Sequence, residues 1–457
     1  MCTIKIYIFQ GEKDMNKILH LTTLLDILDQ QGLITEYSEE CKDITPAHIT
    51  INSKDVVPGT FFVCKGASFK EEYLKSAISQ GAVVYLSQQK YDDVSIPFII
   101  VNDIRKAMAL AARWFYGNPG DSMTKVGITG TKGKTTVTFV MKDILDKYTD
   151  NKCSAFSTHE IDVGTKVFET TLTTPEPIEL QTYFDMAVKD GCTHCIMEVS
   201  SQAMKMNRIY GEQYKVGVFT NIDYDHISPT EHASMEDYLG CKVSFLKQCE
   251  NVVLYSDTRY FDTIYDAVRD KHVVVYGSRE SVEKLMSSKD DFFEKDTEFA
   301  LIHNEELTDH NSYFELIYDG ENRAYNTNLI GDYNVENIVA AIISALLIGI
   351  PNAQIRSSIR DVYVPGRLQV YHWKDRTFMI DYAHNYISMY RLYEMVKKTM
   401  KPKSITVVFG CGGERYKKRR EDMGRLAEQY ADKVVLTMED PGFESCEEIC
   451  KEIKQYI

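Results

Sequence analysis

The residues with the clearest chemistry lie between Val126 and Val137, a run that reads Val-Gly-Ile-Thr-Gly-Thr-Lys-Gly-Lys-Thr-Thr-Val. A short apolar strand pattern leads into glycines, and a helical pattern follows whose first turn holds Lys134, Thr135 and Thr136. Gly130 and Gly133 allow backbone N–H groups to turn inward around phosphate oxygens, and the helix start adds the positive end of its dipole. At this spacing Lys134 reaches the terminal phosphates of a nucleotide, and the Thr135 hydroxyl is placed to ligate Mg2+. The match to G-x-x-x-x-G-K-[ST] is imperfect, because Ile128 stands six positions before Lys134. A glycine-rich turn with a surface lysine is the bland alternative. The strand before the loop and the helix after it argue against that, and the expected ligand is ATP.

The elements that must hold this loop follow from pattern and composition. At 457 residues the chain exceeds one ordinary core, and 44% apolar with 26% charged residues is a globular balance. A net charge of -15 argues against a nucleic-acid binder while leaving room for a local anion pocket. Eleven cysteines lack a repeated C-x-x-C spacing, and no signal-peptide pattern precedes them, so a reduced cytoplasmic setting is expected. Cys411, within a glycine-rich segment, reads as a small buried thiol. The longest apolar stretch, 338–350, is too short to span a membrane and reads as a buried helix. Residues 1–14 precede a second methionine, Met15, and are either an edge strand or a start-site artefact, with the artefact favoured.

Short β-branched runs alternate with helical patterns throughout, which predicts an α/β protein with mainly parallel sheets. The first region carries strand, helix, strand and strand, from the run at 59–66 to that at 96–103, then a helix over Ile104–Tyr116 and a breaker at 117–120. The second has strands at 125–129, 194–198, 216–220 and 252–255 and a helix over 334–349. The third, after Pro365-Gly366, has strands at 378–381, 405–409 and 434–437 in a doubly wound pattern. Domains are expected at 1–116, 117–362 and 363–457.

The loop resembles that of the Mur ligase family, which usually has Asn at the place of Lys132. Further motifs follow in family order: Thr173-Thr174-Pro175, Met197 to Ser201, Thr220 to His226, Gly331 to Asn337, Gly366-Arg367, Asp381 to His384 and Gly410 to Arg415. Together they are most similar to the branch that adds the third residue of the cell-wall peptide stem. The resemblance implies three domains: an N-terminal UDP-binding α/β domain, a central phosphate-loop ATPase domain and a C-terminal Rossmann-like domain. It implies an acyl phosphate made from ATP and UDP-MurNAc-dipeptide, which a free amino acid then attacks. Neither nucleic acid nor membrane is an expected partner, and a monomer is expected.

On that resemblance Gly130, Thr131, Lys132, Gly133, Lys134, Thr135 and Thr136 hold ATP, joined by Asn334 and Asn337 and by Arg367 and Asp381 from the third domain. Asn334 and Asn337 could equally cap their helix. Arg367 and Asp381 could each be an ordinary surface ion-pair partner. Thr135, Glu198 and Lys242, the last as a carbamate, are implied Mg2+ ligands, and Lys134, Lys242 and His226 are implied catalytic residues. Glu198 has an alternative as a helix-capping carboxylate, Lys242 as a helix-surface lysine and His226 as a structural hydrogen-bonder. Gln202 stands where the family has His, and its amide oxygen is a weaker ligand. Ser53, Thr173, Thr174, Ser200 and Arg208 match positions that hold the sugar nucleotide, with Met206 replacing a family glutamine.

Arg415 matches the arginine that holds the α-carboxylate of the incoming amino acid, or is one more charge in the basic run 415–420. Where enzymes using meso-diaminopimelate carry Asp-Asn-Pro-Arg, this chain has Glu439-Asp440-Pro441-Gly442. A distal carboxylate would lose its arginine and meet Asp440, whereas a distal ammonium would be attracted, so lysine or ornithine is expected. The family pattern continues past Ile457 with Gly-Lys-Gly-His-Glu, so the third domain is expected to be incomplete. That absence, with Gln202 and Met206, motivates the rival expectation of a non-catalytic or altered-specificity nucleotide-binding homologue.

Overall fold

The computed structural model describes residues 20–66, 69–228, 231–289, 291–413 and 417–457. Residues 1–14 and Arg415, on which sequence expectations fall, lie outside the described residues. The chain divides into two compact units, one of residues 1–127 and 151–215, the other of 128–150 and 216–457.

In the first unit a sheet has the order Ile34–Tyr37, Phe98–Val101, Ala82–Ser87, Thr60–Val63, His48–Thr50. Its strands run parallel except for the antiparallel edge at Ile34–Tyr37. Helix Ile104–Tyr116 begins where the Asp103 side chain accepts the N–H groups of Arg105 and Lys106, and stops at left-handed Gly117. Its apolar face joins Leu24, Leu28, Phe61 and Ile99 in one core, while Phe62, Leu74 and Tyr85 build a second on the other sheet face. The expected strand–helix–strand–strand order is present. The short outer strands Ile34–Tyr37 and His48–Thr50 were not foreseen, being too brief and too polar to show a period.

The same unit holds strand His194–Glu198, parallel to Cys153–Phe156, which leads into the meander Glu160–Asp162 and Val167–Glu169. Strand His194–Glu198 delivers Glu198 at its carboxyl end.

In the second unit Cys249–Tyr255, His272–Ser278 and Glu298–Leu307 pair in parallel. Ser312–Tyr318 and Glu321–Thr327 then add antiparallel strands. Helix Lys134–Thr149 packs on the apolar helix Asp332–Leu347, whose Ile338, Ile342 and Ile343 are fully buried. The region after Pro365 corrects one expectation. The strand expected at 378–381 in a doubly wound sheet runs over Arg376–Ile380 and pairs antiparallel with Gln369–Trp373 in a hairpin. The turn places Lys374 in the left-handed region, and the two connecting residues, Lys374 and Asp375, are too few for a crossover helix. Thr406–Phe409 and Lys433–Leu436 form the expected parallel pair, with Met423, Leu426 and Ile453 in their core. No described helix is long and apolar enough to cross a membrane.

Candidate active site

The sequence-predicted residues fall into two groups, one in each unit. In the second unit the glycine loop is as tight as its sequence requires. Gly130 and Gly133 have φ of +143° and +91°. A Cβ on Gly130 would lie 2.0 Å from Thr220 Oγ1, and one on Gly133 would lie 2.3 Å from Asn337 Oδ1. Helix Lys134–Thr149 starts directly after Gly133, so the positive end of its dipole faces the loop. The segment after strand Tyr214–Phe219 clamps it: Thr131 N–H donates to the Asn221 carbonyl (2.8 Å), Lys132 N–H to Asn221 Oδ1 (2.9 Å) and Thr220 Oγ1 to the Lys132 carbonyl (2.6 Å).

Three lysines crowd this loop. Lys134 Nζ donates to the carbonyls of Gly130 (2.9 Å) and Thr131 (3.2 Å). Lys242 Nζ donates to the Gly130 carbonyl at 2.7 Å and lies 4.6 Å from the centre of the Tyr238 ring. Lys242 is 1% exposed, so it is not the helix-surface lysine of the bland alternative. Burial, reinforced by Lys134, holds its amine well below the usual lysine range and favours the neutral form.

Lys132, placed where the family usually has Asn, reaches Asp225 Oδ2 (3.3 Å) and His384 Nε2 (3.1 Å). Burial pushes Lys132 down to about 8 against the pull of Asp225. Burial and Lys132 push His384 down to about 3, which keeps the imidazole neutral. Its Nδ1–H then donates to the Tyr382 carbonyl (2.8 Å), and Nε2 accepts from Lys132. Asp225 also accepts from Asn385 Nδ2 at 3.2 Å. Sequence reasoning assigned no role to Asp225 or His384, although both stand inside motifs it had singled out.

Arg367 Nη2 donates to Thr135 Oγ1 (3.3 Å), and its guanidinium lies 4.3 Å from the Tyr382 ring centre. Asp381 accepts from the N–H groups of Leu368 (2.8 Å) and Ala383 (2.7 Å), and burial raises its carboxyl. Both residues are half-buried. Asn334 Nδ2 donates to the Ile330 carbonyl (2.8 Å), so it ties down the start of its helix, whereas Asn337 is the residue packed beneath Gly133. His226 has φ +57° and an exposed ring whose Nδ1 pairs with Glu231 (3.0 Å). Cys411 is buried, with its thiol pushed up to about 11, as expected of a core cysteine. Asp440 is exposed, and its carbonyl accepts from Gly413 N–H at 2.9 Å.

In the first unit Glu198 is fully buried and accepts from Thr158 N–H (3.1 Å) and Oγ1 (2.9 Å). It does not cap the following helix, because Ser200 takes that place by accepting from Ala203 N–H at 3.1 Å. Thr174 Oγ1 donates to the Glu198 carbonyl (2.9 Å) and accepts from Ser200 N–H (3.1 Å). Arg208 donates to Glu176 (2.8 Å) and to the Thr174 carbonyl (3.1 Å), and Glu176 also pairs with Lys65. Thr173 accepts from Thr158 Oγ1 (3.2 Å), and the Ser53 carbonyl accepts from Gln80 (2.8 Å) in a separate loop. Gln202 Oε1 is buried without a hydrogen-bond partner among the described residues. Such an oxygen is suited to a hard cation.

A glycine cradle at a helix start, ringed by lysines, defines a phosphate-loop nucleotide-binding α/β protein. Residues 128–345 match the Mur ligase middle domain, and 366–457 match the Mur ligase glutamate ligase domain. The chain is 36% identical to a UDP-N-acetylmuramyl-tripeptide synthetase of Ligilactobacillus salivarius, over 96% of this chain and 87% of that one. It is 37% identical to a UDP-N-acetylmuramoyl-L-alanyl-D-glutamate--L-lysine ligase of Streptococcus pneumoniae, over 96% and 88%. A solved UDP-N-acetylmuramoyl-L-alanyl-D-glutamate--2,6-diaminopimelate ligase shares the fold, with a TM-score of 0.68 at 22% identity over 93% and 84% of the two chains. The chain belongs to the Mur ligase family.

Proposed function

We propose that this chain joins an amino acid to UDP-MurNAc-L-Ala-D-Glu at the expense of ATP, with lysine or ornithine favoured over meso-diaminopimelate. The observation that carries the reading is the lysine-ringed glycine cradle in a chain that is similar, over nearly its whole length, to a ligase named for L-lysine. The region 117–362 would bind ATP, 1–116 the uridine part of the sugar nucleotide and 363–457 the amino acid.

In this reading the N–H groups of the loop from Gly130 to Thr136 hold the phosphates, and Lys134 leaves its intraloop carbonyls to meet the transferring phosphoryl group. Arg367, already on Thr135, adds a second cation, while Asn337 keeps the loop in shape and Asp381 orders the Arg367 segment. Two Mg2+ ions, when bound, would neutralise phosphate charge, with the Thr135 hydroxyl a proposed ligand of one and Glu198 and Gln202 Oε1 proposed ligands of the second. A carbamate at Lys242 is a further proposed ligand. Its support is chemical: only the uncharged amine adds to CO2, and the buried setting of Lys242 favours that form. His226, with Glu231 on Nδ1, would polarise the approach to the phosphates. Ser53, Thr173, Thr174, Ser200 and Arg208 are proposed to hold the sugar nucleotide, and Arg415 the α-carboxylate. The exposed carboxylate of Asp440 would draw a distal ammonium.

The test is phosphate release from ATP by the purified protein. Release that requires both UDP-MurNAc-L-Ala-D-Glu and an amine is the expected result. Nucleotide binding without release under any combination would overturn the ligase reading in favour of a binding protein.

A further inference from the structure

One cluster lies outside the phosphate cradle and plays no part in the proposed reaction. His232, Asp237 and Cys241 offer one donor atom each, all within 4.8 Å of one another. Asp237 and Cys241 stand four apart on helix Met235–Leu246, so one face presents both. His232 comes in from the preceding segment with its ring fully buried. Its Nδ1 lies 3.2 Å from Asp237 Oδ2, and Cys241 Sγ lies 3.7 Å from Asp237 Oδ1.

These separations have a metal-site scale. Tetrahedral zinc with bonds of about 2.0 Å to N and O and about 2.3 Å to S sets neighbouring donors about 3.3–3.5 Å apart. Both observed distances fall within a few tenths of an ångström of those edges. The third edge, between His232 and Cys241, lies within 4.8 Å, so all three donors would close on the ion by adjusting their side chains, with a fourth position left for water. The donor set is imidazole, carboxylate and thiolate, which selects a borderline or soft ion over Mg2+. We propose that His232, Asp237 and Cys241 bind one thiophilic divalent ion, of which Zn2+ is the natural member.

The site would act as a brace. His232 N–H donates to the His226 carbonyl at 3.2 Å, so an ion at its ring ties the segment carrying Asp225 and His226 to the helix carrying Lys242. Without the ion, the hydrogen bond between His232 and Asp237 links that segment to the helix.

The test uses the full chain stripped with a chelator and titrated with Co2+, whose thiolate charge-transfer band reports sulfur ligation. Cys446 and Cys450, four apart on helix Cys446–Lys454, are the competing thiols and supply the control. The expected result is one equivalent of Co2+ bound with a thiolate band in the wild type and in Cys446→Ser, and no band in Cys241→Ser. Competition with a chromophoric chelator should show Zn2+ affinity more than about tenfold weaker in Cys241→Ser. Added Zn2+ should raise the melting temperature of the wild type and leave that of Cys241→Ser unmoved. Since serine replaces cysteine with little change of shape, equal metal-free melting temperatures would certify the fold. A wild type without a thiolate band, a band unchanged in Cys241→Ser or a band lost only in Cys446→Ser would each overturn the site, the last meaning adventitious metal on the C-terminal helix.

Discussion

Gly133→Ala probes the phosphate cradle most sharply, because two separable costs meet at one atom. The backbone stands at φ +91°, where a Cβ costs about 1–2 kcal/mol in an L-residue. That Cβ would also lie 2.3 Å from Asn337 Oδ1 and 3.2 Å from Asn337 Cγ, on a buried amide of the apolar helix. Relief of such overpacking costs about 1–3 kcal/mol more. Gly349 is the control: its φ is +85°, and nothing lies within 4 Å of a Cβ there. Gly349→Ala should therefore show the backbone cost alone. Urea denaturation, monitored by circular dichroism, should place Gly133→Ala at least about 1 kcal/mol below Gly349→Ala. Gly133→Ala should also lose more than about tenfold in ATP affinity, measured with a fluorescent analogue, because Asn337 or the loop must shift. Equal destabilisation in the two variants with wild-type nucleotide affinity would refute the close approach and with it the cradle argument.

Three further outcomes follow from the site. Lys132 has a folded-state value of about 8 against an ordinary value of 10.5, so the unfolded chain holds the extra proton between these pH values. Folding stability of the wild type relative to Lys132→Met should rise from pH 8 to 10.5, by up to about 3 kcal/mol, and a flat difference in denaturation midpoints would contradict that sign. Lys242→Arg places at this site a permanent cation that cannot form a carbamate; ligase activity should fall at least about a hundredfold, and removal of dissolved CO2 should depress the wild type but not this variant. Gly442→Arg combined with Asp440→Asn should shift amino-acid preference at least about tenfold from lysine toward meso-diaminopimelate, judged by relative kcat/KM.

The ATP half of the site was legible because its information is local. Strand, glycines and helix start are consecutive, and Gly130, Gly133 and Lys134 carry their geometry in residue type alone. Helix Ile104–Tyr116 was equally readable, since Asp103 and Gly117 mark both of its ends. The hairpin strands Ser312–Tyr318 and Glu321–Thr327 went unread even though the first alternates buried and half-buried residues throughout. Its charged and aromatic content masked the period. The Lys132–His384 contact joins residues 252 apart, and nothing in either segment alone reports it. Asn334 and Asn337 offered two roles each by spacing, and only packing separated the helix anchor from the residue under Gly133. Arg376–Ile380 was read as one strand of a larger sheet because a sequence period gives a strand's faces without naming its partner.

The most direct test of the central claim is the mass of the product formed from UDP-MurNAc-L-Ala-D-Glu, ATP and equimolar lysine, ornithine and meso-diaminopimelate in one reaction. The account predicts a UDP-linked tripeptide carrying lysine or ornithine, formed in step with ADP. A tripeptide carrying diaminopimelate would contradict the role given to Asp440 and Gly442, and ADP formed without any new amide would contradict the ligase itself.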